Sequence, residues 1–292
     1  LLKITGNNVK QLERLLTEYQ HGNKVELLLS MGADVNHLDR LAQLLKSTGP
    51  SGALRGVLDD AAIVRLTDAD VLTQMEMAQR LQAAGKVQGL DDWITFNSVK
   101  SLNELKDATI ELKEAKRLVT TNPGEVVHLG METRAPHYPG TTNPAHQFDL
   151  ASTNSIGTTV RSIEITKITK LIKSANDKEL KRAVRHASDK AATRHGIGIP
   201  VPGALEATIQ MALDLTPSTG RTNVTRLADG TVNIVRPDTG AILRSTNIFD
   251  DFTNIIPSIQ NVQFLDRINL IDNNGQALAI FEKTGTTWTK LP

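Results

Sequence analysis

With 292 residues, 39% of them hydrophobic and 22% charged, the chain has the length for two domains and the composition of a folded protein, not a disordered one. A net charge of +1 names no partner, zero cysteines exclude disulfides and thiolate metal sites, and no apolar run approaches the length that spans a bilayer. No signal-peptide pattern is present, and a start at Leu1-Leu2 in place of Met is expected of a fragment cut from a longer polypeptide.

The first hundred residues read as helical and weakly repetitive. Leucine doublets or triplets recur at Leu1-Leu2, Leu15-Leu16, Leu27-Leu28-Leu29 and Leu44-Leu45. Gly6-Asn7-Asn8 and Gly22-Asn23 suit helix starts, and Gly32 and Gly49 suit helix stops. Helices this short are unstable alone, so they must pack as hairpins. Longer helices are expected over about 67–84 and about 101–119, the second with Leu105, Leu112 and Val119 on one stripe. No cluster of catalytic residue types precedes residue 100, and His21 and His37 read as surface histidines.

Character changes at Thr121-Asn122-Pro123-Gly124. The chain therefore divides into a helical repeat and connecting region, 1–120, and a C-terminal α+β domain, 121–292. Within the second region a strand is expected over 126–131, a proline-rich loop over 133–145, and strands over about 146–151 and 159–168. A helix is expected over about 177–194, its apolar stripe Leu180, Val184, Ala187 and Ala191 and its N-cap region Ser174 to Asp177. A short helix is expected over 203–213. The rest reads as β-rich, with turns at Asp229-Gly230, at Asp272-Asn273-Asn274-Gly275 and at Thr284-Gly285, and one short helix from Phe249 to Ile256.

Residues 146–195 carry the chemistry. Asp149 ends one expected strand, and Glu164-Ile165-Thr166-Lys167 lies in the next. Alternation puts Glu164 and Thr166 on one face and Lys167 on the other. In a hairpin, Asp149 and Glu164 converge on one divalent cation. Two hard oxygen ligands at a sheet edge suit Mg²⁺, which positions phosphates and activates water. From Arg161 to Arg194 there are ten Lys/Arg against four Asp/Glu, a local charge that attracts a polyanion and equally suits a solvated helix face.

Five of the seven histidines, His128, His137, His146, His186 and His195, offer a rival chemistry. A histidine pair cleaves RNA without metal, one acting as base and one as acid, with Lys190 or Arg194 stabilising the transition state. The same histidines with Asp149 are also a conceivable Zn²⁺ set, although no His-x(3)-His or His-Glu-x-x-His spacing occurs. No dinucleotide loop, nucleophile elbow or phosphate-binding Gly-Lys-Ser/Thr is present, and a 3% aromatic share argues against extensive base stacking. Residues 224–290 hold no catalytic cluster, which suits a structural or partner-binding part.

The order helix, strand, strand, strand, helix, strand, with Asp149 on the second strand and Glu164 on the third, resembles the restriction-endonuclease-like nuclease fold. The resemblance covers about ninety residues. It implies Asp149 and Glu164 as Mg²⁺ ligands, with the Ile165 carbonyl completing the site and Glu111 or Glu114 as a further carboxylate. The family's lysine position holds Thr166, so Lys190 or His186, four residues apart on the next helix, would supply the positive charge. The whole layout is similar to the C-terminal region of a bacterial polymorphic toxin of the contact-dependent-inhibition or Rhs type. That likeness implies a nuclease toxin of interbacterial competition, delivered from the producing bacterium to act in the target-cell cytoplasm. Its implied partners are a nucleic acid substrate and a cognate immunity protein. A helical adaptor with a β-rich binding module is the non-enzymatic alternative.

Overall fold

The computed structural model describes the chain apart from residues 1–2, 4, 7, 20–21, 48–57, 130–147, 169–177, 199–200, 202, 212, 217–219, 227–231, 236–238, 247, 273–274, 276 and 292. His21, His137, His146, the proline-rich loop, the Ser174–Asp177 cap and Asp229-Gly230 therefore lie outside the described residues. The chain forms two compact units. The first is Leu1–Val119 with Val126–Gly130, and the second is Thr120–Glu125 with Met131–Pro292. No described helix is long and apolar enough to cross a membrane.

The first unit holds α1 (Val9–Glu18), α2 (Gly22–Ser30), α3 (Val35–Ser47), α4 (Asp60–Leu66), α5 (Ala69–Ala83), β1 (Val87–Gln88), α6 (Leu90–Ser98), α7 (Leu102–Thr121, which runs past the unit boundary) and β2 (Val126–Leu129). Helix starts follow local chemistry. The side chains of Asn8, Asp59 and Asp68 accept backbone N–H groups at the heads of α1, α4 and α5. The leucine doublets have a simple geometric meaning. Neighbours on a helix lie about 100° apart, so one leucine enters the core and the next borders solvent. Leu15 and Leu28 are fully buried, whereas Leu16 and Leu27 are exposed. The unit is not purely helical, because β1 pairs in parallel with β2, Val87 opposite Val127. Gly89 makes this possible. Its φ is +83°, and a Cβ there would lie 2.3 Å from the Leu129 carbonyl oxygen.

The second unit adds β3 (Leu150–Thr153), β4 (Thr159–Ile168), α8 (Lys178–Gly196), β5 (Ala204–Met211), β6 (Leu213–Thr216), β7 (Gly220–Arg226), β8 (Val232–Val235), β9 (Ile242–Thr246), α9 (Ile248–Ile255), β10 (Arg267–Ile271), β11 (Ala277–Thr284) and β12 (Thr287–Lys290). Six strands form a mixed sheet in the order β3-β4-β5-β10-β11-β12. The β3–β4 hairpin is antiparallel, β5 runs parallel to both β4 and β10, and β10-β11-β12 continue antiparallel. Strands β6 to β9 form a separate antiparallel sheet, inserted between β5 and β10.

Residues 204–211 are a strand, not the helix expected over 203–213. The sequence Leu205-Glu206-Ala207-Thr208-Ile209-Gln210-Met211 alternates apolar and polar, the period of a sheet. Helix formers such as Leu, Glu, Ala and Met mask that period, and pairing with a strand on each side overrides their local preference. The apolar set Leu205, Ala207, Ile209 and Met211 packs with Ile268 and Leu270 of β10 and with Leu180, Val184, Ala187 and Ala191 of α8 in one core. Phe252 of α9 meets Phe281 of β11 edge to face in the same core, ring centroids 5.3 Å apart.

Gly203 lets β5 begin beside β4. Its φ is +69°, and a Cβ there would lie 2.4 Å from the backbone carbon of Val160. Gly203→Ala is expected to cost about 3 kcal/mol or more in urea unfolding, because neither backbone can yield without breaking the parallel ladder. A loss under about 1 kcal/mol would show that the ladder start tolerates a side chain.

Candidate functional site

The β3–β4 hairpin turns through Asn154, whose side chain accepts the N–H groups of Ile156 and Thr158. It pairs Leu150 with Ile163, and the same register continued by one residue sets Asp149 across from Glu164. Asp149 lies just ahead of β3, and its Oδ2 accepts the Ile165 N–H at 2.7 Å. Alternation along β4 sends Glu164 to the face that α8 covers. There Lys190 Nζ donates to Glu164 Oε2 at 2.6 Å, and His186 Nε2 lies 3.1 Å from Oε1. The i, i+4 spacing of His186 and Lys190 puts both on one side of α8, so one carboxylate engages both.

Burial differs sharply across this cluster. The Glu164 side chain is 3% exposed, that of Lys190 15% and that of His186 60%. Phe148 lies under the two cations behind Glu164. Its ring centroid is 5.7 Å from Lys190 Nζ and 5.8 Å from the Arg194 guanidinium carbon, distances at which the ring face attracts positive charge. The site therefore runs from an apolar, closed end at Phe148 to an open end at His186.

The carboxylates influence each other. Asp149 keeps some residue surface open, but its carboxyl is desolvated, and burial followed by the Glu164 charge pushes its pKa from 3.8 up to about 7. Lys190 and the Ile165 N–H oppose that shift without cancelling it. His186 moves upward from 6.5, chiefly through its hydrogen bond to Glu164, against desolvation.

Beyond His186 the site opens into a cleft of about 1010 Å³. Its walls are the end of β4, including Thr166 and Lys167, the outward stripe of α8, and the Ser258–Gln260 segment. Thr166 follows Glu164 on its face of the strand, while Lys167 alternates to the other. The structure thus brings Asp149, Glu164, His186 and Lys190 together and places Thr166 and Lys167 in the adjoining wall. Glu114 belongs to the first unit, buried and held by Arg117 at 2.6 Å.

The described histidines do not form a pair. His186 and His195 are nine residues apart on α8, about 13 Å of helix rise. His195 packs on Phe264 at 5.3 Å, and His128 is a buried residue of β2 in the first unit. No group of three or more His, Asp or Glu side chains suited to a metal occurs among the described residues. The donor set that remains, Asp149 and Glu164, is of the hard oxygen kind that Mg²⁺ takes with one or two carboxylates and several waters, and here Lys190 and His186 engage both oxygens of Glu164. It does not fit Zn²⁺, which in its structural and catalytic sites takes three or four protein ligands.

Sequence reading missed a second polar cluster on the opposite face of the same strands. Arg161 donates to Glu206 and to Glu125, Ser152 donates to Glu125 at 2.6 Å, and Asn269 donates to Glu206 at 2.9 Å. The polar alternation of Glu206, Thr208 and Gln210 is the signal for it in the sequence, masked by the helix-forming Leu205, Ala207 and Met211 between and after them. No family model, no curated protein and no solved structure matches this chain.

Two outcomes follow from the burial of these charges. Asp149 holds its proton more tightly folded than unfolded, so its contribution to stability is complete below pH 3.8 and is lost as pH rises to about 7. Asp149→Asn keeps an acceptor for Ile165 and removes the charge. Its melting temperature should exceed wild type by about 3 °C at pH 8 and by less at pH 5, and an equal difference at both pH values would contradict the buried-carboxyl account. Lys190→Met leaves the Glu164 charge buried with only His186 beside it. It should lose about 3 kcal/mol in urea unfolding, and a loss below about 1 kcal/mol would mean that Lys190 does not hold Glu164.

Proposed function

We propose that this chain is the C-terminal part of a bacterial polymorphic toxin and that its second unit is a metal-dependent endonuclease of the restriction-endonuclease-like kind. The observation that carries the reading is the Asp149–Glu164 pair, joined to Lys190 and to His186, the last of which lines a cleft rich in Lys and Arg. The chain order α7, β2, β3, β4, α8, β5, with β4 antiparallel to β3 and parallel to β5, supports it. So does the position of Lys190, which brings to Glu164 the positive charge that Thr166 lacks.

Asp149 and Glu164 would hold Mg²⁺ and, with it, the scissile phosphate of a nucleic acid. The ion, when bound, supplies an acidified water at neutral pH and neutralises charge building on the phosphate. Asp149 must lose its proton for this, so ion binding strengthens as pH rises through about 7. Lys190, between Glu164 and the Phe148 ring, stabilises the negative oxygens of the transition state. His186, open to the cleft and protonated below its raised pKa, donates a proton to the leaving oxygen. Thr166 and Lys167 line the approach of the strand. In the same reading the chain is delivered to the cytoplasm of a target cell, and a cognate immunity protein neutralises it in the producer.

The test incubates the protein with plasmid DNA and with total tRNA, in Mg²⁺ and in EDTA, beside Glu164→Gln. Gln is preferred to Ala because it fills the same buried space beside Lys190. Cleavage that requires Mg²⁺ and falls at least about a hundredfold in the variant is expected. Cleavage that persists in EDTA, or no cleavage of either polymer, would overturn the reading.

A further inference from the structure

The outward side of α8 is a single helical stripe. Lys178, Lys181, Arg182, Arg185 and His186 recur three and four residues apart and line the cleft together with the acidic Glu179 and Asp189, while Leu180, Val184, Ala187 and Ala191 enter the core. From Lys178 to Arg185 the axis rises about 10 Å, roughly three nucleotide steps of one strand of a duplex. The stripe ends at His186, which bonds Glu164. A phosphate chain laid along it therefore arrives at the imidazole that bonds Glu164.

Two further features narrow the ligand. No Phe, Tyr or Trp occurs among the described residues that line the cleft, so it offers no platform for stacked, splayed bases. And Arg185 is held in place: its Nε donates to Asp189 Oδ2 at 2.9 Å, while Asn261 Nδ2 donates to Asp189 Oδ1 at 2.8 Å. Asn261 holds φ +62°, a left-handed conformation that asparagine adopts more readily than most residues. The Arg185 side chain stays 54% exposed, so its guanidinium is also open to a phosphate in the cleft.

We infer that the α8 stripe is the binding surface for the sugar–phosphate backbone of a nucleic acid duplex, with Lys181, Arg182 and Arg185 as its phosphate contacts and Asn261 and Asp189 as positioning residues for Arg185. This rests on the nuclease reading for the direction in which the backbone runs. The binding itself does not need catalysis.

The experiment measures fluorescence anisotropy of labelled 20-base-pair DNA and RNA duplexes, and of the matching single strands, with the full chain in EDTA across a salt series. Wild type should prefer a duplex, and the two duplex arms tell DNA from RNA. The Lys181→Ala/Arg182→Ala/Arg185→Ala variant should flatten the slope of log affinity against log salt by roughly 2–3, with at least about a tenfold loss near physiological salt. Asn261→Ala should give part of that loss while its circular dichroism stays at wild type. An unchanged slope in the triple variant, tighter binding to single strands, or displacement by polyglutamate as readily as by unlabelled duplex would overturn the inference. The last result would point to an acidic protein partner. Duplex binding through α8 without cleavage in Mg²⁺ would leave the inference standing and defeat the nuclease reading. Cleavage indifferent to the triple variant would do the reverse.

Discussion

A carboxylate buried to 3% exposure must be compensated, and in the second unit that requirement organises everything around Glu164. Lys190 at 2.6 Å and His186 at 3.1 Å answer it from one side of α8. The helix is thereby fixed in rotation over the sheet, its apolar stripe downward on β5 and its basic stripe outward. Asp149, brought beside Glu164 by the hairpin register, shares the field and rises in pKa to about 7. Positive charge thus meets the carboxylates from Lys190 and His186 and continues along the cleft in the outward side chains of α8.

The same strands carry a second set of buried charges on their other face. Arg161 joins Glu206 and Glu125, and Asn269 completes the acceptor needs of Glu206. Here the carboxylates are paired with a guanidinium and an amide, and the geometry satisfies both oxygens of Glu206. Around Glu164 the partners are an ammonium and an exposed imidazole, the second of which can lose its charge as pH rises. The contrast separates the two clusters. One reads as a fixed structural network, and the other changes protonation within the physiological range and opens to solvent.

Much of this was readable in the chain. The spacing of Asp149 and Glu164 across a turn, the strand over Thr159–Ile168, the amphipathic α8 and the return of positive charge from Lys190 each follow from a local period of two or 3.6. Helices α5, α7 and α9 were also legible, from caps and apolar stripes. The β5 strand was not. Most of its residues, Thr208 and Ile209 apart, favour helix, and only the ladders to β4 and β10, the latter some sixty residues further along, stabilise the alternating face. The missed strand concealed Glu206, and with it the whole Arg161 network.

By itself, then, the sequence determined which residues could meet across a hairpin or along one helix face, because those relations depend on backbone periods that every segment carries with it. It determined the broad α+β character and the basic stripe. Only the tertiary structure decided that β5 is a strand between two parallel neighbours, that Glu164 is buried where Lys190 and His186 both reach it, and that Phe148 closes the inner end. Each of these depends on segments distant in the chain burying surface against one another, and such burial outweighs the small local preferences from which a sequence is read.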